Sequence, residues 1–183
     1  MYAVDFDGND NLVIPNGNTD LGAIDGAFTI EGWVNFDAAP PGTGNGNERQ
    51  IVGQMAWPES SGGDWWALLA VSTGIYWYAA GGGGYLLTAF PTFTWETGKW
   101  YHFALTRDAS DAMDLFINGA YLAPTSNVTN GKGILATDGR AFSIGADNDA
   151  SHNGVDGKIS NLRISNIVRY TKTFTPPTSE LTG

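Results

Sequence analysis

The chain of 183 residues contains no cysteine. That absence excludes disulfides, Cys-ligated zinc, iron–sulfur clusters and thiol catalysis. Positive charge is also scarce: nine Lys and Arg stand against nineteen Asp and Glu, a formal net charge of −10. Nucleic acids and anionic membrane surfaces select basic patches, so neither is expected as a partner. No apolar run approaches the ~20 residues of a membrane-spanning helix, so no membrane insertion is expected. The start, Met1-Tyr-Ala-Val-Asp-Phe-Asp7, has neither a basic head nor an apolar signal core. It reads as strand at once, as expected of a whole protein or of a domain cut from a larger one. Helical periodicity is missing too: apolar residues rarely recur at i, i+3, i+4 and i+7, and glycine interrupts the longer windows.

What the chain has in quantity is turn formers and rings: 25 Gly, 8 Pro and 13% aromatics. Asn-Gly and Asp-Gly pairs recur at 7–8, 16–17, 25–26, 118–119, 130–131, 138–139 and 156–157. Such pairs accept positive φ and favour tight hairpins. Between them lie short β-branched or aromatic runs at 2–6, 11–14, 27–36, 49–55, 65–72, 75–80, 85–89, 99–107, 113–118, 121–123, 141–146 and 158–165. Strands at this spacing predict an all-β sandwich or barrel. One domain is natural at this length, and a chain of this size buries roughly 70% of its unfolded surface without staples.

Alternation assigns faces. Phe28, Ile30, Val34 and Phe36 share one side of their strand; Thr29, Glu31, Trp33 and Asn35 share the other. Met113, Leu115 and Ile117 alternate with Asp114 and Phe116. The run Trp100-Tyr-His-Phe-Ala-Leu105 is apolar on both faces, which predicts a central strand with its outer face covered. Ile159 is out of phase with Leu162 and Ile164, which predicts a bulge. Stretches 39–48, 58–64 and 81–84 read as loops. Residues 1–168 form the expected domain; 169–183, with Arg169-Tyr-Thr-Lys-Thr-Phe-Thr-Pro-Pro177, form an extended tail that packs on the domain or leaves it.

The order Phe28-Thr-Ile-Glu-Gly-Trp-Val34, Gly98-Lys-Trp-Tyr-His-Phe-Ala104, Asp114-Leu-Phe-Ile-Asn-Gly119, Phe142-Ser-Ile-Gly145 and Asp156-Gly-Lys-Ile-Ser-Asn-Leu-Arg-Ile164 resembles the laminin-G-like, concanavalin-A-like jelly roll. The likeness runs from Ala3 to Ile164. It implies a sandwich of two antiparallel sheets, with ligands held at the loop rim or on the concave face. Many members bind carbohydrate, some bind proteins and many carry calcium. The ending Arg169 to Pro177 also resembles the form of this domain in bacteriophage tail and virion proteins. A shared fold does not settle function.

Some relatives of this fold are sugar hydrolases, a chemistry that needs two carboxylates about 5–10 Å apart. Laminarinase-type relatives carry Glu-x-Asp-x-x-Glu on one strand; none of the five Glu here, at 31, 48, 59, 96 and 180, begins that pattern. Glu31 reads instead as a strand-edge acceptor for hydroxyls or backbone. His102 reads as a satisfied core residue. His152 sits in a Gly/Asn/Asp loop without a nucleophile signature and reads as a rim hydrogen-bonder. No enzymatic activity is expected.

Calcium takes six to eight oxygen ligands. The oxygen-rich run Asp147-Asn-Asp-Ala-Ser-His-Asn153, followed by Asp156, makes Asp147, Asp149 and Asp156 candidate ligands. The first run, Asp5 to Asp10, is also oxygen-rich; both runs serve equally as turn caps. Relatives that bind calcium often carry Asp where this chain has Ser160 or Asn161, which weakens the family's usual ion. Trp57, Trp65, Trp66, Tyr76, Tyr78 and Tyr85 crowd one region. Adjacent strand residues face opposite sides, so Trp65 and Trp66 cannot share a face, and Tyr76 and Tyr78 face outward if Ile75 faces the core. Outward rings suit sugar stacking, a protein interface or plain packing. The sequon Asn127-Val-Thr129 matters only in a host that glycosylates.

The resulting expectation is a non-catalytic domain that recognises a cell-surface glycan or polysaccharide. Its ligand residues are Trp57, Trp65, Trp66, Tyr76, Tyr78, Tyr85, Asn148, Asp149 and His152. Its setting is a phage virion or tail or a bacterial surface protein, hence a virion or extracellular location. The alternative is a structural virion protein, a decoration or fibre subunit, that uses the same face for contacts with other virion subunits or as a homo-oligomer.

Overall fold

A computed structural model describes residues 2–14, 26–43, 47–55, 65–81, 84–129, 141–147 and 154–181, the side chains at 81, 84–86 and 126–129 aside. Its strands are β1 (Val4–Asp7), β2 (Leu12–Ile14), β3 (Phe28–Phe36), β4 (Arg49–Gly53), β5 (Trp65–Val71), β6 (Gly74–Gly81), β7 (Gly84–Ala89), β8 (Trp100–Arg107), β9 (Met113–Ile117), β10 (Ala120–Leu122), β11 (Ser126–Thr129), β12 (Phe142–Ile144) and β13 (Asp156–Ser165). They form a six-stranded sheet in the order β1-β13-β3-β8-β9-β10 and a seven-stranded sheet in the order β11-β7-β6-β5-β4-β12-β2. Every pairing is antiparallel. This is an all-β sandwich, one of the two architectures that the strand spacing predicts, and the two-sheet jelly roll that the family resemblance implies.

Period-two alternation builds the core. From the six-stranded sheet come Phe28, Ile30, Val34, Phe36, Tyr101, Phe103, Leu105, Met113 and Leu115; from the other come Trp66, Leu68, Ala70, Ile75, Trp77 and Ala79. Trp66 stacks on Trp77 at 5.3 Å, and Phe28 meets Trp77 at the same distance. The Trp66 Nε1–H donates to Gln54 Oε1 at 2.9 Å, so its one polar atom is satisfied inside. Removing this much ring area from water stabilises by about 1.5–3 kcal/mol per large side chain, a source of stability that needs no disulfide.

Local chemistry sets the irregular points. Asn118 and Gly119, both at positive φ, close the two-residue turn between β9 and β10, as an Asn-Gly pair should. The bulge predicted near 159–164 falls between Ser160 and Arg163, with Asn161 at φ 49°. A second bulge between Gln50 and Val52 lets both Ile51 and Val52 enter the core. The loop expected at 81–84 is tighter, since Gly81 pairs with Gly84. β11 is a strand that alternation does not reveal: Ser-Asn-Val-Thr has little apolar pattern, and backbone pairing to β7 holds it at the sheet edge.

Candidate functional site

The outer face of the seven-stranded sheet carries the aromatic cluster. Register places Trp65 opposite Ala80, Ala67 opposite Tyr78 and Leu69 opposite Tyr76. Ile75 and Trp77 point into the core, so Tyr76 and Tyr78 point away from it. Trp65, Ala67, Leu69 and Met55 are buried in this second cluster, and half-buried Tyr76, Tyr78 and Ala80 pack on them. Trp65 meets Tyr78 edge-on at 4.6 Å and 84°. At 4% exposure Trp65 acts as a floor; ring surface is left on the two tyrosines. Trp66 has no solvent exposure and faces the other way, so no ligand can stack on it. Its place among the candidate ligand residues is therefore corrected: it is core. Tyr85, on β7, pairs with Ala80 of β6. Trp57, Asn148, Asp149 and His152 lie outside the described residues.

Beside this face, Gln50 Nε2 donates to Ser143 Oγ at 2.8 Å and to the Ala146 carbonyl at 2.9 Å, which ties β4 to the end of β12. Asp147 follows, fully buried, and its carbonyl accepts from Asn11 Nδ2. Asp156 is half-buried, and its carbonyl accepts the Asp37 N–H at 2.9 Å. Among the described residues no three His, Asp or Glu gather in a group able to hold a metal ion. Asp149, the third candidate calcium ligand, lies outside the described residues.

The outer face of the six-stranded sheet is organised differently. Residues 169–177 run across it as a strap. Thr29 Oγ1 donates to the Ile167 carbonyl at 2.7 Å and accepts the Arg169 N–H at 3.0 Å. The Phe174 N–H donates to the Gly119 carbonyl at 3.0 Å. Tyr170 stacks flat on Phe174 at 3.6 Å, and Phe174 packs against Phe116 and His102 at 5.5 and 5.7 Å. This cover is why Phe116 and His102 are fully buried on an outward face.

Under the strap lies Glu31, also fully buried. Strand β3 is interior to its sheet, so Glu31 does not lie at a strand edge, but it accepts a hydroxyl as its sequence context predicts. Arg163 donates to its Oε1 from Nε at 3.0 Å and Nη2 at 2.6 Å, and the Tyr170 hydroxyl donates to Oε2 at 2.9 Å. His102 Nε2 stands 3.4 Å from Oε2, a long and bent polar contact. Burial acts to raise the Glu31 pKa, but His102, Arg163 and Tyr170 outweigh it and hold the carboxyl below its ordinary value. Burial, with Glu31 beside it, pushes the Tyr170 hydroxyl up to about 12. A carboxylate so enclosed has no access to a substrate. Glu31, His102 and the tail are each legible in the sequence. Their meeting was not legible, because nothing in a run of residues says where an extended tail lies.

Two packed antiparallel sheets of six and seven strands are the architecture of a jelly-roll sandwich. The sequence from 6 to 172 matches the laminin-G-like family of the concanavalin A-like lectin/glucanases superfamily, and the chain belongs to it. No curated protein matches the sequence significantly. Similar folds among solved structures include domain 4 of AbnA, a GH43 extracellular arabinanase from Geobacillus stearothermophilus, in complex with arabinotriose. It is 19% identical with a TM-score of 0.56, over 88% of this chain and 69% of that one. The CBM40 of the Ruminococcus gnavus IT-sialidase, bound to alpha2,3 sialyllactose, is 11% identical with a TM-score of 0.58, over 92% and 94%. Domains LG4-5 of the mouse laminin alpha1 chain are 13% identical with a TM-score of 0.59; this chain spans only 46% of that one.

Proposed function

We propose that the protein is a non-catalytic carbohydrate-recognition domain whose ligand lies on the outer face of β5 to β7. The observation that carries this is the outward cluster of Trp65, Tyr76 and Tyr78 on the sheet that the strap does not cover. Sugar rings present apolar C–H faces that stack on such rings, while a Tyr hydroxyl can meet sugar hydroxyls. Two of the similar folds are complexes with oligosaccharides, arabinotriose and sialyllactose, which supports the same ligand class here. Trp57, Tyr85, Asn148, Asp149 and His152 are proposed as rim contacts, and calcium, with Asp147, Asp149 and Asp156 as ligands, as the ion that would order that rim. The natural setting we propose is the surface of a phage virion or tail, or of a bacterium, where many copies raise a weak single-site affinity by avidity. The other use of the same face is contact between virion subunits.

A glycan array with and without EDTA tests this. Binding to a defined set of glycans is expected, reduced at least tenfold by Tyr76→Ala with Tyr78→Ala, a loss of about 1.4 kcal/mol. Loss of binding in EDTA would support the ion. Silence on all glycans, with stable oligomers by light scattering, would overturn the lectin reading in favour of the subunit contact.

A further inference from the structure

The sandwich is open along one side. There the six-stranded sheet ends at β1 and the seven-stranded sheet at β2, and among the described residues neither strand has a partner on its outer edge. Between them lies a cleft of about 210 Å³ lined mainly by Val4, Phe6, Leu12, Ile144, Ile159 and Leu162. Val4 and Leu12 are more than 40% exposed, although both point to the inner side. This volume is below the roughly 300 Å³ of a small-molecule pocket, and suits side chains better than a ligand ring system.

β1 states what it pairs with. Toward β13, inward Val4 lies opposite Ile159, and outward Asp5 lies opposite Lys158, whose Nζ is 3.5 Å from the Asp5 carboxylate. The free edge presents the same alternation, Val4 and Phe6 inward, Asp5 and Asp7 outward, and it ends at Asp7, whose N–H donates to Asp10 Oδ1 at 3.1 Å and whose Oδ1 accepts the Asn9 N–H at 2.9 Å. Directly opposed residues in an antiparallel pair sit about 4.5–5.5 Å apart, so opposite charges there stabilise and like charges repel. A second copy of β1 would set Asp against Asp, which disfavours self-pairing and guards the edge against aggregation.

We propose that the free edge of β1 binds an extended peptide segment of a partner by strand addition, the segment alternating apolar side chains, which enter the cleft, with Lys or Arg, which face Asp5 and Asp7. Main-chain hydrogen bonds supply affinity and the alternation supplies selectivity. This surface is separate from the aromatic face of β5 to β7.

The test titrates the whole protein with a ten-residue peptide alternating Val and Lys and follows amide shifts by NMR. The expected result is saturable binding with shifts centred on Val4 to Asp7 and Ile159. A Val/Glu alternating peptide should bind at least tenfold more weakly. The same Val and Lys in two blocks, which break period two, should bind no better. Asp5→Asn should weaken the Val/Lys peptide roughly two- to fivefold, and Asp5→Lys should remove the preference over the Val/Glu peptide, while the melting temperature reports that each variant is folded. Equal binding of the blocked peptide, no binding of the alternating one, or a preference unmoved in Asp5→Lys would overturn the proposal. So would a dimer in sedimentation velocity that Val4→Asp dissolves, since the edge would then take a second copy.

Discussion

Glu31 shows how much one residue depends on its surroundings. Alone, a buried carboxylate is costly, by several kcal/mol even after relaxation. Here two guanidinium N–H groups and a phenol satisfy it. Breaking such a pair from one side leaves the partner uncompensated. Glu31→Gln is therefore expected to lower stability by about 2–4 kcal/mol, the lower part reflecting partial exposure of Arg163; urea unfolding at pH 7 measures it. Acid makes the same point reversibly. The folded carboxyl titrates below its unfolded value, so its contribution is complete above the ordinary carboxylate range and is lost as pH falls through the folded pKa. The difference in stability between the wild type and Glu31→Gln should accordingly shrink from pH 6 to pH 3. A constant difference across that range would mean that the charge is not what Glu31 contributes.

At the scale of elements, the strap is the unit that distinguishes the two faces of the sandwich. Its docking rests on few backbone bonds and on ring burial, chiefly Tyr170 and Phe174 over Phe116. Ending the chain after Val168 should remove about 1.5–3 kcal/mol of apolar burial, roughly half the full-burial value for each of the two half-buried rings. Lower melting temperature with new binding of an apolar dye would be seen if the face beneath becomes wet. Gly119 offers a finer cut. It sits at φ 77°, and a Cβ there would meet the Phe174 carbonyl oxygen at 1.9 Å. Gly119→Ala should displace the strap at Phe174 and make it more sensitive to proteolysis, with the rest of the sandwich still folded. Unchanged proteolysis of the strap in that variant would place its anchor elsewhere.

For the molecule as a whole, neighbouring tryptophans have opposite duties. Trp66→Ala should cost about 3–5 kcal/mol, because it hollows the stack with Trp77. Tyr78→Ala should cost far less in stability and act on glycan binding instead. Chemical denaturation of both variants beside array data for the second separates core from candidate site. If Tyr78→Ala proves as destabilising as Trp66→Ala, the outer cluster is packing rather than a binding surface.

Period two by itself determines much of this: the faces of β3 and β9, the opposition of Trp65 and Trp66, the outward tyrosines and the bulge in β13. These follow from local geometry, since side chains alternate along any strand and Asn-Gly closes any tight hairpin. Motif order also carried the family, because it samples five strands in sequence. Other features needed the assembled sandwich. The seating of Glu31 beneath Tyr170 joins residues 139 apart, and the burial of Phe116 depends on a tail that has no periodic pattern. The open edge at β1 and β2 follows from which strands end each sheet. Local chemistry decides which way a side chain points; only the packing of distant segments decides what lies on top of it.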